Sequence, residues 1–213
     1  MTQEPDVEAE VRKRGISALP PWGGISHIMR YYQLAEAAPY PEDSQDAVTL
    51  IFEGGFRCSE STKIRREMCS YNDDAVVIRR APVLKKKKPK DRLRDVVIRR
   101  DDKDPLADEL VKLIDRSEDY LLPGYLPFTH TPVPSRGACR KTIYNRVVEI
   151  SGDLFPHALR SYRASFLVWE RGFDLRELVR WFSWESQAGI QMALHYTSQV
   201  DMAKKLGIRE LPV

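Results

Sequence analysis

The sequence predicts an α+β domain, mostly helical, with one small antiparallel sheet or hairpin. Three observations carry this expectation. Apolar residues recur at helical spacing through most of the chain, two short β-branched runs flank a single lysine-rich stretch, and glycines and prolines punctuate the segments between them. At 213 residues the chain is long enough for one domain with a proper core and a short extension. It holds no apolar run of membrane-spanning length and no charged-then-apolar leader, so a soluble, cytoplasmic protein is expected.

The elements follow in order. The polar start, closing on Pro20-Pro21, reads as an arm. Ile28, Met29, Tyr32, Leu34 and Ala35 mark a helix from Ser26 to Ala38, and Ala47, Val48, Leu50 and Ile51 mark another from Asp43 to Phe52. Gly54-Gly55 stops that helix, and a further one is expected from near Ser59 to about Met68. Ala75-Val-Val-Ile78 and Val96-Val-Ile98 form the hairpin, its tip around Pro89. Helices are then expected over Leu106 to Arg116, Arg140 to Ile150, His157 to Arg171, Asp174 to Phe182, and from Ile190 to Tyr196. A loop rich in proline and threonine, Leu122 to Ser135, lies between them. The expected division is an arm, linker and first helix over 1–40, one main domain over 41–198, and a tail over 199–213 with a short helix from Met202 to Leu206.

The formal net charge of +3 is unevenly spread. Between Arg79 and Arg100 there are eleven Lys or Arg against Asp91 and Asp95, which leaves the rest of the chain net negative. A dense like-charge block in an otherwise acidic chain suits either a solvated loop or a polyanion contact, and the second is favoured. Cys58, Cys69 and Cys139 have no metal-type spacing and read as small apolar residues in a reducing compartment. The acidic pairs Asp73-Asp74 and Asp101-Asp102 sit in polar, loop-like sequence, which argues against a metal-dependent nuclease.

In FPHALRSYRASFLVWERG, Phe155 to Gly172, His157 and Arg160 share one stripe of a largely apolar helix, its entry marked by Pro156. An imidazole and a five-donor fork there need a partner that accepts hydrogen bonds, a carboxylate or a phosphate. Three more segments join it: LIFEGGFRCSESTKIR (Leu50 to Arg65), KKPKDR (Lys87 to Arg92) and WFSWESQAGIQMALHYTS (Trp181 to Ser198).

In this order the four segments resemble the catalytic domain of the tyrosine recombinases, the phage-integrase family. GGFRCSE resembles the family's first arginine box, Lys87, Lys90 and Arg92 its lysine hairpin, and His157, Leu159, Arg160 and Gly172 its H-x-L-R helix. Trp184 and Tyr196 resemble its closing His/Trp and nucleophilic tyrosine. Departures remain: the hairpin is about two residues longer than usual on its return strand, so Lys86 or Lys88 are alternatives to Lys87, and the Trp184 to Tyr196 segment is about three residues longer than the common pattern, which leaves Gln187 as an alternative to Trp184. Ser161 stands where a histidine is frequent, and the resemblance assigns it no catalytic role. The HALR-S and WES-type boxes look most like archaeal or archaeal-virus members.

The resemblance implies attack of Tyr196 on a DNA phosphodiester, giving a 3′-phosphotyrosine and a free 5′-hydroxyl with neither ATP nor metal. A phenol with a pKa of about 10 is mostly protonated at neutral pH, so the site has to stabilise negative charge and accept the proton. Arg57 and Arg160 would fork the non-bridging oxygens, Lys87 would protonate the leaving oxygen, and His157 would take the phenol proton. Trp184 would stabilise through its N–H and its packing, since indole cannot act as a base. Lys85, Lys86, Lys88, Lys90 and Arg92 would contact the DNA backbone, and the implied partners are double-stranded DNA and other copies of the chain, as a dimer or tetramer on it. Two alternatives stand beside this reading: a DNA-binding module of the same fold that cleaves weakly or not at all, and a type IB topoisomerase-like enzyme.

Overall fold

The computed structural model describes residues 23–84, 93–126, 131–184, 187, 189–194, 196 and 197. Two helices form its centre, and each is buried on all sides over two turns or more. Helix α2 (Pro41–Gly54) starts with proline in its first turn and buries a continuous run from Ala47 to Gly54. Helix α6 (Pro156–Trp169) also opens on proline and buries Ala158 through Val168. Such helices are stable only when surrounded. They meet through Phe52 and Phe166, whose rings pack edge-on at 5.9 Å. Each fully buried apolar side chain of this kind contributes about 1.5–3 kcal/mol relative to exposure.

The remaining elements close over this pair. They are α1 (Ile25–Leu34), α3 (Cys58–Ser61), α4 (Ala107–Arg116), α5 (Arg140–Val148) and α7 (Leu175–Phe182). Ile28 and Tyr31 of α1 enter the core, and His27, which has no context in the sequence, packs against the rings of Tyr31 and Tyr162, which stack on each other. Strands β1 (Cys69–Tyr71), β2 (Ala75–Pro82) and β3 (Leu93–Arg99) form an antiparallel sheet in that order. Ile78 pairs with Val96 and Val76 with Ile98, and all four side chains point into the core. A bulge between Ile78 and Ala81, with Arg80 in the left-handed region, turns the end of β2 toward the site described below.

Behind the centre lies a buried ion network. Arg163 Nη1 stands 2.8 Å from Glu53 Oε2 and 2.6 Å from Asp104 Oδ1, and Asp104 also pairs with Arg171. The second carboxylate oxygen of Glu53 accepts the Leu106 N–H at 3.0 Å. The carboxylates here are therefore committed to structure, including Asp101, which pairs with Arg171.

Two expectations are corrected, and one strand, β1, was not foreseen. The helix expected over 59–68 is only the single turn α3 followed by a 3-10 turn, Arg66–Met68. Ile64 and Arg66 are drawn instead into extended pairing with the segment around Tyr120: Leu121 N–H donates to Ile64 O at 3.1 Å, and Arg65 bridges to Tyr120. The expected loop from Leu122 to Ser135 contains a two-stranded ribbon, β4 (Pro123–Tyr125) with β5 (Pro132–Gly137). Its prolines are tolerated because both strands are edges. Strand β1 carries too few residues for an alternation to register in the sequence. Among the described residues, no helix is long and apolar enough to cross a membrane.

Candidate active site

The site is built around one carboxylate. Helix α2 ends at Gly55, in the left-handed region at φ 55°, where a Cβ would meet Trp181 at 2.4 Å and Phe182 at 2.7 Å. A residue with a side chain could neither make this turn cheaply nor fit beneath those rings. The turn delivers Arg57 to the start of α3 as its N-cap. Glu60 reaches back to it: Oε2 accepts the Arg57 N–H at 2.9 Å, and Oε1 accepts from Arg57 Nη1 at 2.7 Å. Glu60 is 1% exposed, while the Arg57 side chain stays 20% exposed.

The same carboxylate receives the second arginine. Arg160 Nη1 donates to Glu60 Oε2 at 3.3 Å and also to Gly55 O, so α6 and the turn after α2 are locked together at the site. Arg160 is almost fully buried, its Cζ 4.7 Å from the Phe182 ring centre and 5.7 Å from that of Trp184. Its Nη2 is buried and has no hydrogen-bond partner among the described residues. A buried guanidinium nitrogen without an acceptor is costly unless a ligand supplies one.

A third arginine supports the turn from below. Arg94, on the inward face of β3, donates through Nη2 to Gly54 O at 2.9 Å and Gly55 O at 3.2 Å, and through Nη1 to Trp181 O. Burial pulls it down to about 10, with Glu60 opposing that shift. Glu60 is held below the usual carboxylate range because Arg160, Arg57 and Arg94 together outweigh its burial.

His157 lies one turn before Arg160 on α6, partly buried. Burial lowers its pKa to about 4, with Arg160 and Arg57 pushing the same way and Glu60 opposing. At neutral pH it is therefore an uncharged imidazole with an acceptor nitrogen. An anion bound to the arginines would offset their push and make it a stronger base.

The last segment folds back over α6. Ser183, in the left-handed region at φ 53°, caps α7, and Trp184 N–H returns to Val179 O at 2.8 Å. The rings of Phe182 and Trp184 then stack at 4.3 Å, and those of Trp184 and Tyr196 at 6.2 Å. Gly189 makes this possible, since a Cβ there would meet Trp184 Cβ at 2.7 Å. Tyr196 is buried, and its hydroxyl shares a hydrogen bond with Ser161 Oγ. Burial pushes the phenol up to about 12, opposed by Ser161 and by the charge of Arg160.

Of the residues singled out in the sequence, the structure gathers Arg57, His157, Arg160, Trp184 and Tyr196 around Glu60 and the end of α2. Trp184 is buried against Phe182 and Tyr196, whereas Gln187 is exposed. Lys85, Lys86, Lys87, Lys88, Lys90 and Arg92 lie outside the described residues, as do 199–213. Leu84, immediately before the lysines, donates its N–H to Glu60 Oε1 at 3.3 Å, so the base of the hairpin is tied to the site. Sequence reasoning missed Glu60, Arg94 and Ser161 as site residues. Glu60 had a signal, since a carboxylate three residues after a helix N-cap is the capping-box position.

No protein-family model and no curated protein sequence matches the chain. Solved structures do. The chain is similar to the XerH site-specific recombinase bound to palindromic difH substrate in a post-cleavage complex, with TM-score 0.60 and 15% identity, over 89% of this chain and 53% of that one. It is similar to XerA recombinase, with TM-score 0.58 and 16% identity, over 88% and 65%. A third likeness is to the Tn1549 transposon integrase in complex with transposon right end DNA, with TM-score 0.54 and 13% identity, over 88% and 66%. The described chain thus has the fold of a tyrosine-recombinase catalytic domain and spans between about half and two thirds of those proteins.

Proposed function

We propose that this domain cleaves and rejoins DNA strands through a covalent 3′-phosphotyrosine, as a site-specific recombinase or integrase. The observation that carries the reading is the shared carboxylate: Glu60 holds Arg57 and Arg160 side by side, leaving Arg160 Nη2 buried without an acceptor among the described residues, next to a neutral imidazole and a tyrosine hydroxyl. Two convergent guanidinium forks suit the two non-bridging oxygens of a phosphodiester.

In the reaction Tyr196 Oη forms a bond to phosphorus while the bond from phosphorus to the 5′-oxygen breaks. The phenol proton passes to His157, and a hairpin lysine, Lys87 or its neighbours Lys86 and Lys88, protonates the leaving oxygen. Arg57 and Arg160 hold the charge that develops on the phosphate, which is the part a metal ion would otherwise play. Trp184 packs against the nucleophile's ring and excludes water. The released 5′-hydroxyl reverses these steps on the same or another strand, so no ATP is consumed. Lys85, Lys86, Lys88, Lys90 and Arg92 supply backbone contacts, and a dimer or tetramer assembles on double-stranded DNA.

Arg160 and Tyr196 are covered by neighbouring side chains, at 2% and 5% exposure. That coverage also favours, as a second reading, a module that binds DNA without cutting it. Incubation of the full chain and its Tyr196→Phe variant with nicked suicide duplexes, in chelator, separates the two on a denaturing gel. A covalent protein–DNA band from the wild type alone is expected. DNA retention with no band from either protein overturns the enzyme in favour of the binding module.

A further inference from the structure

Ser161 is a residue to which the recombinase resemblance gives no role, yet it touches the proposed nucleophile. It follows Arg160 on α6 and lies four residues after His157, so it shares a face with the imidazole. It is buried in the middle of a helix, where alanine has the higher helix propensity and an unsatisfied hydroxyl costs stability. The hydroxyl is satisfied by the hydroxyl of Tyr196.

The contact fixes something that ring packing cannot. Stacking on Trp184 sets the plane and depth of the phenol, but the hydroxyl hydrogen still rotates about the C–O bond. A neighbouring hydroxyl, which can donate or accept, holds the oxygen in place and can turn to donate to it as the phenol loses its proton. Because Ser161 is adjacent to Arg160, it holds that oxygen at the end of α6 that faces the phosphate in the proposed reaction.

We infer that Ser161 is a positioning residue for the nucleophile: its hydroxyl fixes the Tyr196 oxygen beside Arg160 and donates a hydrogen bond to it as negative charge builds there. The inference rests on the recombinase reading. Ser161 exchanges no net proton; the phenol proton goes to His157, and the serine hydrogen only turns toward the oxygen that loses it. Among the described residues, the charged group that acts on this oxygen is Arg160, and Arg160 in turn feels Arg57 and Glu60 on the turn after α2 and lies one turn from His157 on α6. Burial disfavours the phenolate, and Ser161 and Arg160 oppose that burial.

The test compares Ser161→Ala and Ser161→Thr in the full chain. With a suicide duplex at saturating protein, S161A should form the covalent adduct about tenfold more slowly, the value of one hydrogen bond to a developing charge, with DNA affinity unchanged. Its rate should need a higher pH to reach half-maximum, and S161T should recover both properties. A serine of merely structural importance would move neither the pH midpoint nor its recovery by threonine. A second readout needs no DNA: in protein labelled with 3-fluorotyrosine, the fluorine resonance missing from Tyr196→Phe belongs to Tyr196. Its titration midpoint should rise in S161A and return in S161T. Cleavage by S161A at or above the wild-type rate overturns the inference, as does an unchanged fluorine midpoint. A wild-type protein that forms no adduct overturns the recombinase reading instead, and the fluorine titration still decides whether Ser161 holds the phenol oxygen.

Discussion

Replacing Glu60 with glutamine keeps the shape of the side chain and removes the charge that gathers Arg57, Arg160 and, through its field, Arg94. Arg160 and Arg94 are both buried, and Arg160 is 2% exposed in its ion pair with Glu60. Removing one partner of a buried pair leaves the other uncompensated, at a cost of about 3–5 kcal/mol. The amide retains one acceptor oxygen for the Arg57 N–H or for Arg160, so the lower end, about 3 kcal/mol, is expected. For a chain of this size each kcal/mol moves the melting temperature by about 2–4 °C, so E60Q should melt about 6–12 °C below wild type. Sulfate distinguishes lost charge from lost packing. An anion bound between the two forks replaces the missing charge, so added sodium sulfate should raise the melting temperature of E60Q more than that of wild type, beyond the shift from sodium chloride at equal ionic strength. An E60Q protein that melts within a degree of wild type, or gains no more from sulfate, refutes the claim that Glu60 is the charge on which this site is assembled.

Other outcomes follow from the same geometry. Gly55→Ala puts a methyl group into the rings of Trp181 and Phe182 at a left-handed backbone position, and should lower stability by about 2–4 kcal/mol in urea denaturation while loosening the carbonyl that anchors Arg160. His157 titrates near 4 when folded against about 6.5 when unfolded, so its stabilising effect is complete above about 6.5 and is lost as pH falls toward 4. Wild type should therefore lose about 2 kcal/mol more than His157→Gln between neutral pH and pH 4, a figure discounted for the partial exposure of the ring and read from urea midpoints across that range. Arg94→Lys replaces a fork that meets three carbonyls with a single ammonium and should cost about 2 kcal/mol in the same assay, despite conserving charge. Alanine at Lys85, Lys86, Lys88, Lys90 and Arg92 together should weaken binding to duplexes of any sequence and flatten the slope of log affinity against log salt by about 4.5 if each meets one phosphate.

Much of the architecture was readable along the chain, and the reasons are local. The apolar runs of α2 and α6, the proline that opens α6 and the glycine that ends α2 are signals carried by neighbouring residues. The β-branched runs that became β2 and β3 are of the same kind, as is the order of Arg57, His157, Arg160 and Tyr196 that carried the family resemblance. The helix expected after Ser59 failed because its residues had two options of similar local merit. Pairing with the segment around Tyr120, some fifty-five residues away, decided between them. The ribbon of β4 and β5 was hidden by prolines that usually mark a loop.

The sequence by itself supplied the candidates for the proposed chemistry: two forks, an imidazole, a lysine run and a phenol. The tertiary structure decided how they are held. Glu60 meets Arg160 a hundred residues away, Arg94 supports the turn at Gly54 and Gly55 from forty residues downstream, and Ser161 meets Tyr196 across thirty-five. Local propensity and periodicity report contacts within a few residues, so the capping-box position of Glu60 signals its bond to Arg57 but none of these three long-range pairings. What selects them is the low tolerance of a packed interior for an unpaired charge or an unsatisfied hydroxyl, and that constraint exists only once α2 and α6 have closed on each other.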